Sequence, residues 1–290
     1  MSFHELVLSP FAEFAFMRRA LVACLALALG CGPIGLFLVM RRMSLMGDAM
    51  SHAVLPGAAV GFILAGLSLP AMSVGGFAAG VLVVLAAGLV SRYTAIREDA
   101  SLAAFYLMSL ALGVLLVSHF GSNVDLIHIL FGSVLAIDDA ALLLVAGIST
   151  LSMVVLALIY RPLLLDSFDP VFLQSVGVRS NGYYLVFMVL VVLNLVAGFQ
   201  AMGTLMAVGL MMIPAITARL WANSIGRMMG VSVLVAMLSG GVGLLLSYHL
   251  DLPSGPAIVL AAGGLYLLSL LLAPFGGWLP RVFRSRHLAG

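Results

Sequence analysis

The sequence predicts an all-α, polytopic integral membrane protein, and three observations carry that reading. Of 290 residues, 63% are hydrophobic and 8% are charged, where soluble domains carry roughly 25% charge. With a mean hydropathy of +1.24, a water-soluble core is not a serious rival. Apolar runs of membrane-crossing length recur along the whole chain. Charge is segregated: the thirteen basic residues are all arginine, and they sit at the ends of those runs.

Runs near 16–40, 44–66, 69–91, 100–118, 139–160, 182–199, 201–220, 228–248 and 256–279 give nine candidate spans. A count of eight stays open, because the first fifteen residues also suit an interfacial helix. Glu5 and Glu13 precede Arg18, and no small-residue cleavage site follows a short apolar stretch. The first run is therefore expected to remain a span and not to be a cleaved signal peptide. When successive ends alternate sides, Arg41, Arg42, Arg92, Arg97, Arg161, Arg179, Arg219, Arg227, Arg281, Arg284 and Arg286 fall on one face. The positive-inside rule makes that face cytoplasmic, with the N-terminus outside and the C-terminus inside. Arg18 and Arg19 are the exceptions, and snorkelling is one way to accommodate them.

The stretch from Ser118 to Asp139 has an apolar core too short to span upright, so 120–137 reads as a half-helix on the outer side. Thirty-one glycines, with clusters such as Gly75, Gly76 and Gly80, suit close helix packing. Cys24 and Cys31 share one run roughly 10 Å apart along a helix, which forbids a disulfide between them and leaves them as small packing residues. No fixed-period repeat or long linker divides the chain, so 1–290 is read as a single transmembrane domain.

Within the second run stands the pair with the most chemical content. Asp48 is the only acidic residue inside a membrane-length apolar run, and His52 is the only histidine there. A carboxylate placed in hydrocarbon is costly, and such a residue marks a functional site by default. On a helical wheel started at Met43, Asp48 falls at about 140° and His52 at about 180°, with Met46 and Met50 at about 300° and 340°. Acid and imidazole thus share a face opposite the methionines. Carboxylate oxygen and imidazole nitrogen suit Zn²⁺ or Mn²⁺, whereas thioethers would suit Cu(I). Pro56 and Gly57 follow at once, and a proline there withholds a backbone donor, so a break near the pair is expected. The plain structural alternative is an acid complementing the helix N-terminus with a packed histidine partner.

A second group, His119, Asp125, His128, Asp138, Asp139, His249 and Asp251, falls on the expected outer face. It suits metal entry or docking of a basic surface, or ordinary solvated loops. Enzyme motifs are mostly excluded. A P-loop needs GxxxxGK, which a chain without lysine cannot supply, so any ATP is hydrolysed on another polypeptide. His4 and Glu5 begin an HExxH pattern that fails at Leu8, and Ser51 beside His52 makes a poor dyad. On the inner side, 166–180 reads as a short amphipathic helix, with Asp169 as N-cap, Pro170 at its first position and Gly177 at its end. Such an element suits docking of a soluble partner, and a simple connecting loop is the alternative.

Six collinear stretches resemble one family. They are FMRRALVA (Phe16 to Ala23), RRMSLMGDAMSHAVLPG (Arg41 to Gly57), VDLIHILFGSVLAI (Val124 to Ile137), DPVFLQSVG (Asp169 to Gly177), GTLMAVGLMMIPAITARL (Gly203 to Leu220) and LPSGPAIVL (Leu252 to Leu260). They look like the permease subunit of ABC-type zinc and manganese importers, a bacterial inner-membrane protein. The resemblance implies a homodimer in the lipid bilayer, a cytoplasmic ATPase subunit carrying ATP, and an extracytoplasmic metal-binding protein, with no nucleic-acid partner. It implies no permanently bound cofactor, only transported Zn²⁺ or Mn²⁺ contacted by Asp48 and His52. It also implies that Asp169, Pro170, Val171, Phe172 and Gly177 couple to the ATPase. Where the family often carries an acid after DP, this chain has Val171, which leaves that position without a carboxylate. From the residues alone, a stand-alone proton-coupled secondary metal transporter remains the rival reading.

Overall fold

A computed structural model describes residues 8–66, 68–120, 137–168 and 180–278. Among these, every regular element is a helix: α1 (Ser9–Glu13), α2 (Ala15–Met40), α3 (Met46–Ala53), α4 (Leu55–Ala65), α5 (Leu69–Tyr93) and α6 (Glu98–Phe120). They are followed by α7 (Asp139–Phe168), α8 (Ser180–Met202), α9 (Thr204–Trp221), α10 (Ile225–Leu250) and α11 (Ser254–Leu272). Nine stretches among the described residues are long and apolar enough to cross a membrane, α3 and α4 together making the second. All nine coincide with the expected runs. The outer half-helix expected at 120–137 and the coupling helix expected at 166–180 lie mostly outside the described residues; of the latter, 166–168 form the end of α7 and Ser180 opens α8.

α2 is the central post. In its most apolar window 78% of residues are buried, and in that of α8 72%, whereas α6 and α7 stand at 22% each and line the outside. α2 packs against α7, α8, α9 and α10, while α3 to α6 form a group joined to the rest through α3 and α5 on α8 and through α3 on α9. Small residues set the close approaches, because lipid supplies no hydrophobic drive between helices and backbone contact must replace it. A side chain at Gly35 would run into the Met211 carbonyl of α9, and Gly57 of α4 meets Gly75 of α5 backbone to backbone. Ser232 of α10 donates a buried hydrogen bond to the Gly32 carbonyl at 3.1 Å. Gly66 and Gly203, with φ of 64° and 94°, end α4 and open α9 in a region that only glycine enters at little cost.

One local feature follows the sequence reading and one departs from it. The second span is broken at Val54, not continuous, because Pro56 offers no N–H to the His52 carbonyl. α7 continues past Tyr160 to Phe168 with Pro162 inside it. One proline removes a single rung of the helix, and burial of Leu163 and Asp166 holds the next two turns in place.

The two exceptional arginines each have a partner. Arg18 donates to the carbonyls of Phe11 and Ala12 at 3.4 and 2.8 Å, satisfying the end of α1. Arg19 pairs with Asp139 at the start of α7 at 2.9 Å.

Candidate metal pathway site

The turn from α2 into α3 sets the position of the site. α2 ends in a Schellman motif, in which the Met43 N–H bonds the Leu38 carbonyl at 2.9 Å and the Arg42 N–H bonds that of Val39 at 3.2 Å. Arg42 occupies the left-handed position at φ 60°, where glycine is usual. α3 then starts at Met46, so Asp48 falls in its first turn and His52 in its last.

The wheel prediction holds. Met46 and Met50 are 4% and 0% exposed and belong to the core, whereas the Asp48 side chain is 67% and that of His52 34% exposed. The Asp48 carboxylate is therefore open to a cleft instead of being sealed in packed hydrocarbon. That cleft, of about 550 Å³, is lined by Arg42, Asp48, Asp99 and Tyr106 among others. His52 Nε2 lies 3.8 Å from Asp48 Oδ1, too far for a hydrogen bond. Two donors bound to one ion at about 2.0–2.2 Å each stand no more than about 4.4 Å apart, so a single cation fits between them. His52 Nδ1 is buried without a hydrogen-bond partner. The pair is under-satisfied by its own chain. Among the described residues no group of three or more His, Cys, Asp or Glu forms around it, and those residues supply two side-chain donors here.

α6 covers the break that follows. Ser109 donates to the Ala53 carbonyl at 2.9 Å, and Gly113, one turn on, lets Pro56 approach so closely that an added Cβ would stand 3.0 Å from its nitrogen. Sequence reasoning anticipated the break but not these two residues. A serine and a glycine at i and i+4 in an apolar run are ordinary packing residues until their neighbour is known.

The outer candidates are dispersed into local roles. Asp138 Oδ1 accepts from the Ala141 N–H at 2.7 Å and caps α7. Asp139 is held by Arg19, Asp251 closes α10 at φ 50°, and His249 stands edge-on to Tyr248 at 5.2 Å. His119 lies in the last turn of α6. Asp125 and His128, and with them Asp169, Pro170, Val171, Phe172 and Gly177, lie outside the described residues.

Sequence reasoning also missed an ion pair. Arg41 Nη2 contacts Asp166 Oδ2, with the two side chains 12% and 5% exposed. Arg41 was legible only as a topology marker, and Asp166 as part of an inner loop.

Comparison with known proteins gives the family of the chain. The ABC 3 transport family matches residues 13–273. The manganese import system permease protein ScaB of Streptococcus parasanguinis is 39% identical over 262 residues, 90% of this chain and 92% of that protein. The manganese transport system membrane protein MntC of Halalkalibacterium halodurans is 35% identical over 276 residues, 95% and 93% of the two chains. Among solved structures, PsaBC from Streptococcus pneumoniae in complex with Fab superposes with a TM-score of 0.84 at 32% identity, covering 98% of this chain and 100% of the other.

Proposed function

The chain belongs to the ABC 3 transport family, and on that premise we propose that it is the membrane-spanning permease of an ATP-driven importer of a divalent transition metal. Manganese is the proposed cargo, in line with the relatives named for it. The observation that carries the site is the Asp48 and His52 pair. It joins oxygen and nitrogen donors at a separation one ion can bridge, with Asp48 open to a cleft and His52 Nδ1 without a partner among the described residues.

Two donors make half a coordination sphere, so the site is completed by a second copy of the chain. Two carboxylates and two neutral imidazoles suffice for tetrahedral Zn²⁺, and Mn²⁺ takes further oxygens from water or backbone. An incomplete, open site also suits transport, which requires binding weak enough to release. The metal-binding protein delivers the ion on the outer face, where both the N-terminus and the expected segment 120–137 lie. ATP is bound and hydrolysed by a cytoplasmic subunit that docks on residues 169–179, and the C-terminus is cytoplasmic. Asp48 and His52 hold the ion while the pathway alternates between the two sides of the bacterial inner membrane.

The test is reconstitution of the chain with its ATPase subunit and binding protein in liposomes. ATP-dependent uptake of Mn²⁺, competed by excess Zn²⁺, is expected. Uptake by the purified chain alone under a proton gradient would overturn this reading in favour of a secondary transporter.

A further inference from the structure

Arg41 sits where three helices and the site converge. It is the C-cap of α2, between Met40 and the left-handed Arg42, and α3 with Asp48 and His52 begins directly beyond that turn. Its guanidinium is held from two sides. Nη2 reaches Asp166 and Nε donates to Ser167 Oγ at 3.1 Å, both in the last turn of α7. The Ser167 hydroxyl in turn donates to the Leu163 carbonyl at 2.7 Å. On the other side the cation lies 5.2 Å from the Tyr184 ring centroid and 5.9 Å from that of Phe187, both in α8. Phe187 packs edge-on against Phe37 of α2, which meets Tyr160 of α7 in the same way.

α7 ends at Phe168 and α8 begins at Ser180. Residues 169–179, the proposed docking segment for the ATPase, are thus bounded in the chain by the two helix ends that Arg41 grips. A planar fork that pairs with a carboxylate, a hydroxyl and two aromatic faces fixes direction as well as distance. An ammonium on a flexible stem does not. At this junction a charge only 12% exposed is restrained by a carboxylate, a hydroxyl and two aromatic rings, whereas the next residue, Arg42, is exposed and left-handed.

We propose that Arg41 is a positioning residue that passes displacement of the α7 and α8 ends to the Asp48 and His52 helix, coupling ATP turnover to movement of the metal site. The proposal rests on the transport reading above. Neither Arg41 nor Asp166 lies between Asp48 and His52, so the role is mechanical and not coordinative.

The test uses the reconstituted complex with its ATPase subunit and binding protein, measuring Mn²⁺ uptake and ATP hydrolysis together. Arg41→Lys keeps the charge and loses the fork and the stacking. Arg41→Met with Asp166→Leu removes the ion pair and keeps the packing. Both are expected to assemble, to hydrolyse ATP within about twofold of the native rate, and to carry at least about tenfold less Mn²⁺ per ATP hydrolysed. Native Mn²⁺ per ATP in either variant overturns the proposal. So does a parallel fall of uptake, hydrolysis and thermal midpoint in Arg41→Lys, which marks a purely structural pair. Asp48→Asn serves as the separating control: if it transports at the native rate, the site assignment fails, whatever Arg41 does.

Discussion

Two ionisable pairs flank the same turn between α2 and α3, and the fold treats them in opposite ways. Arg41 and Asp166 are 12% and 5% exposed, in contact, and supported by a serine and two aromatic rings. Asp48 and His52 are 67% and 34% exposed, stand 3.8 Å apart, and leave a buried imidazole nitrogen without a partner. A charge that must stay put in a low-dielectric region needs every lone pair and proton matched, since an unmatched one costs several kcal/mol by most estimates. A charge that must accept and release an ion needs capacity to spare. Satisfaction by the chain itself therefore separates a pair held in place from a candidate transit pair better than residue type does.

The largest effect expected of this contrast is functional. Asp48→Asn replaces one of the two donors, an anionic carboxylate, by a neutral amide oxygen, and since loss of a mere outer-shell partner costs roughly 10- to 100-fold in metal affinity, ATP-driven Mn²⁺ uptake should fall by about 100-fold or more. Its thermal midpoint in detergent should stay at the native value. Next comes the converse case. Asp166→Asn leaves Arg41 buried without its counter-charge and should destabilise the fold by about 3–5 kcal/mol, read as a lowered thermal midpoint. Equal destabilisation by Asp48→Asn and Asp166→Asn would break the comparison.

A smaller effect sharpens it. His52→Gln keeps a polar side chain without an imidazole, so uptake should weaken about tenfold at limiting Mn²⁺ and recover at high Mn²⁺, a change in apparent affinity seen in the concentration dependence of transport. The smallest effect has the opposite sign. Arg42→Gly relieves a left-handed residue and should raise the thermal midpoint by the equivalent of about 0.5–1 kcal/mol, because glycine adopts that conformation without a Cβ clash.

Much of this was readable from the chain. The nine spans follow from run length, since an apolar segment of that size has one stable environment. The shared face of Asp48 and His52, opposite Met46 and Met50, follows from helical periodicity, and the break at Val54 follows from Pro56. Each is local and repeats along the chain. The outer acids were legible as a group on one side but not as a cap at Asp138, an ion pair at Asp139 and a helix end at Asp251, which depend on where neighbouring helix ends meet.

The sequence by itself determined an all-helical membrane protein of the ABC 3 kind, with one acid and one histidine on a common face of its second span. Those properties are set by backbone hydrogen bonding in lipid and by a periodicity of 3.6 residues, both independent of distant contacts. Only the tertiary structure decided that Asp48 opens onto a cleft, that Ser109 and Gly113 of α6 cover the break, and that Arg41 meets Asp166 across 125 residues of sequence. Side-chain pairing between helices depends on their mutual rotation and depth, which small-residue contacts such as Gly57 on Gly75 and Gly35 on Met211 fix by shape, and shape is not written in any single run.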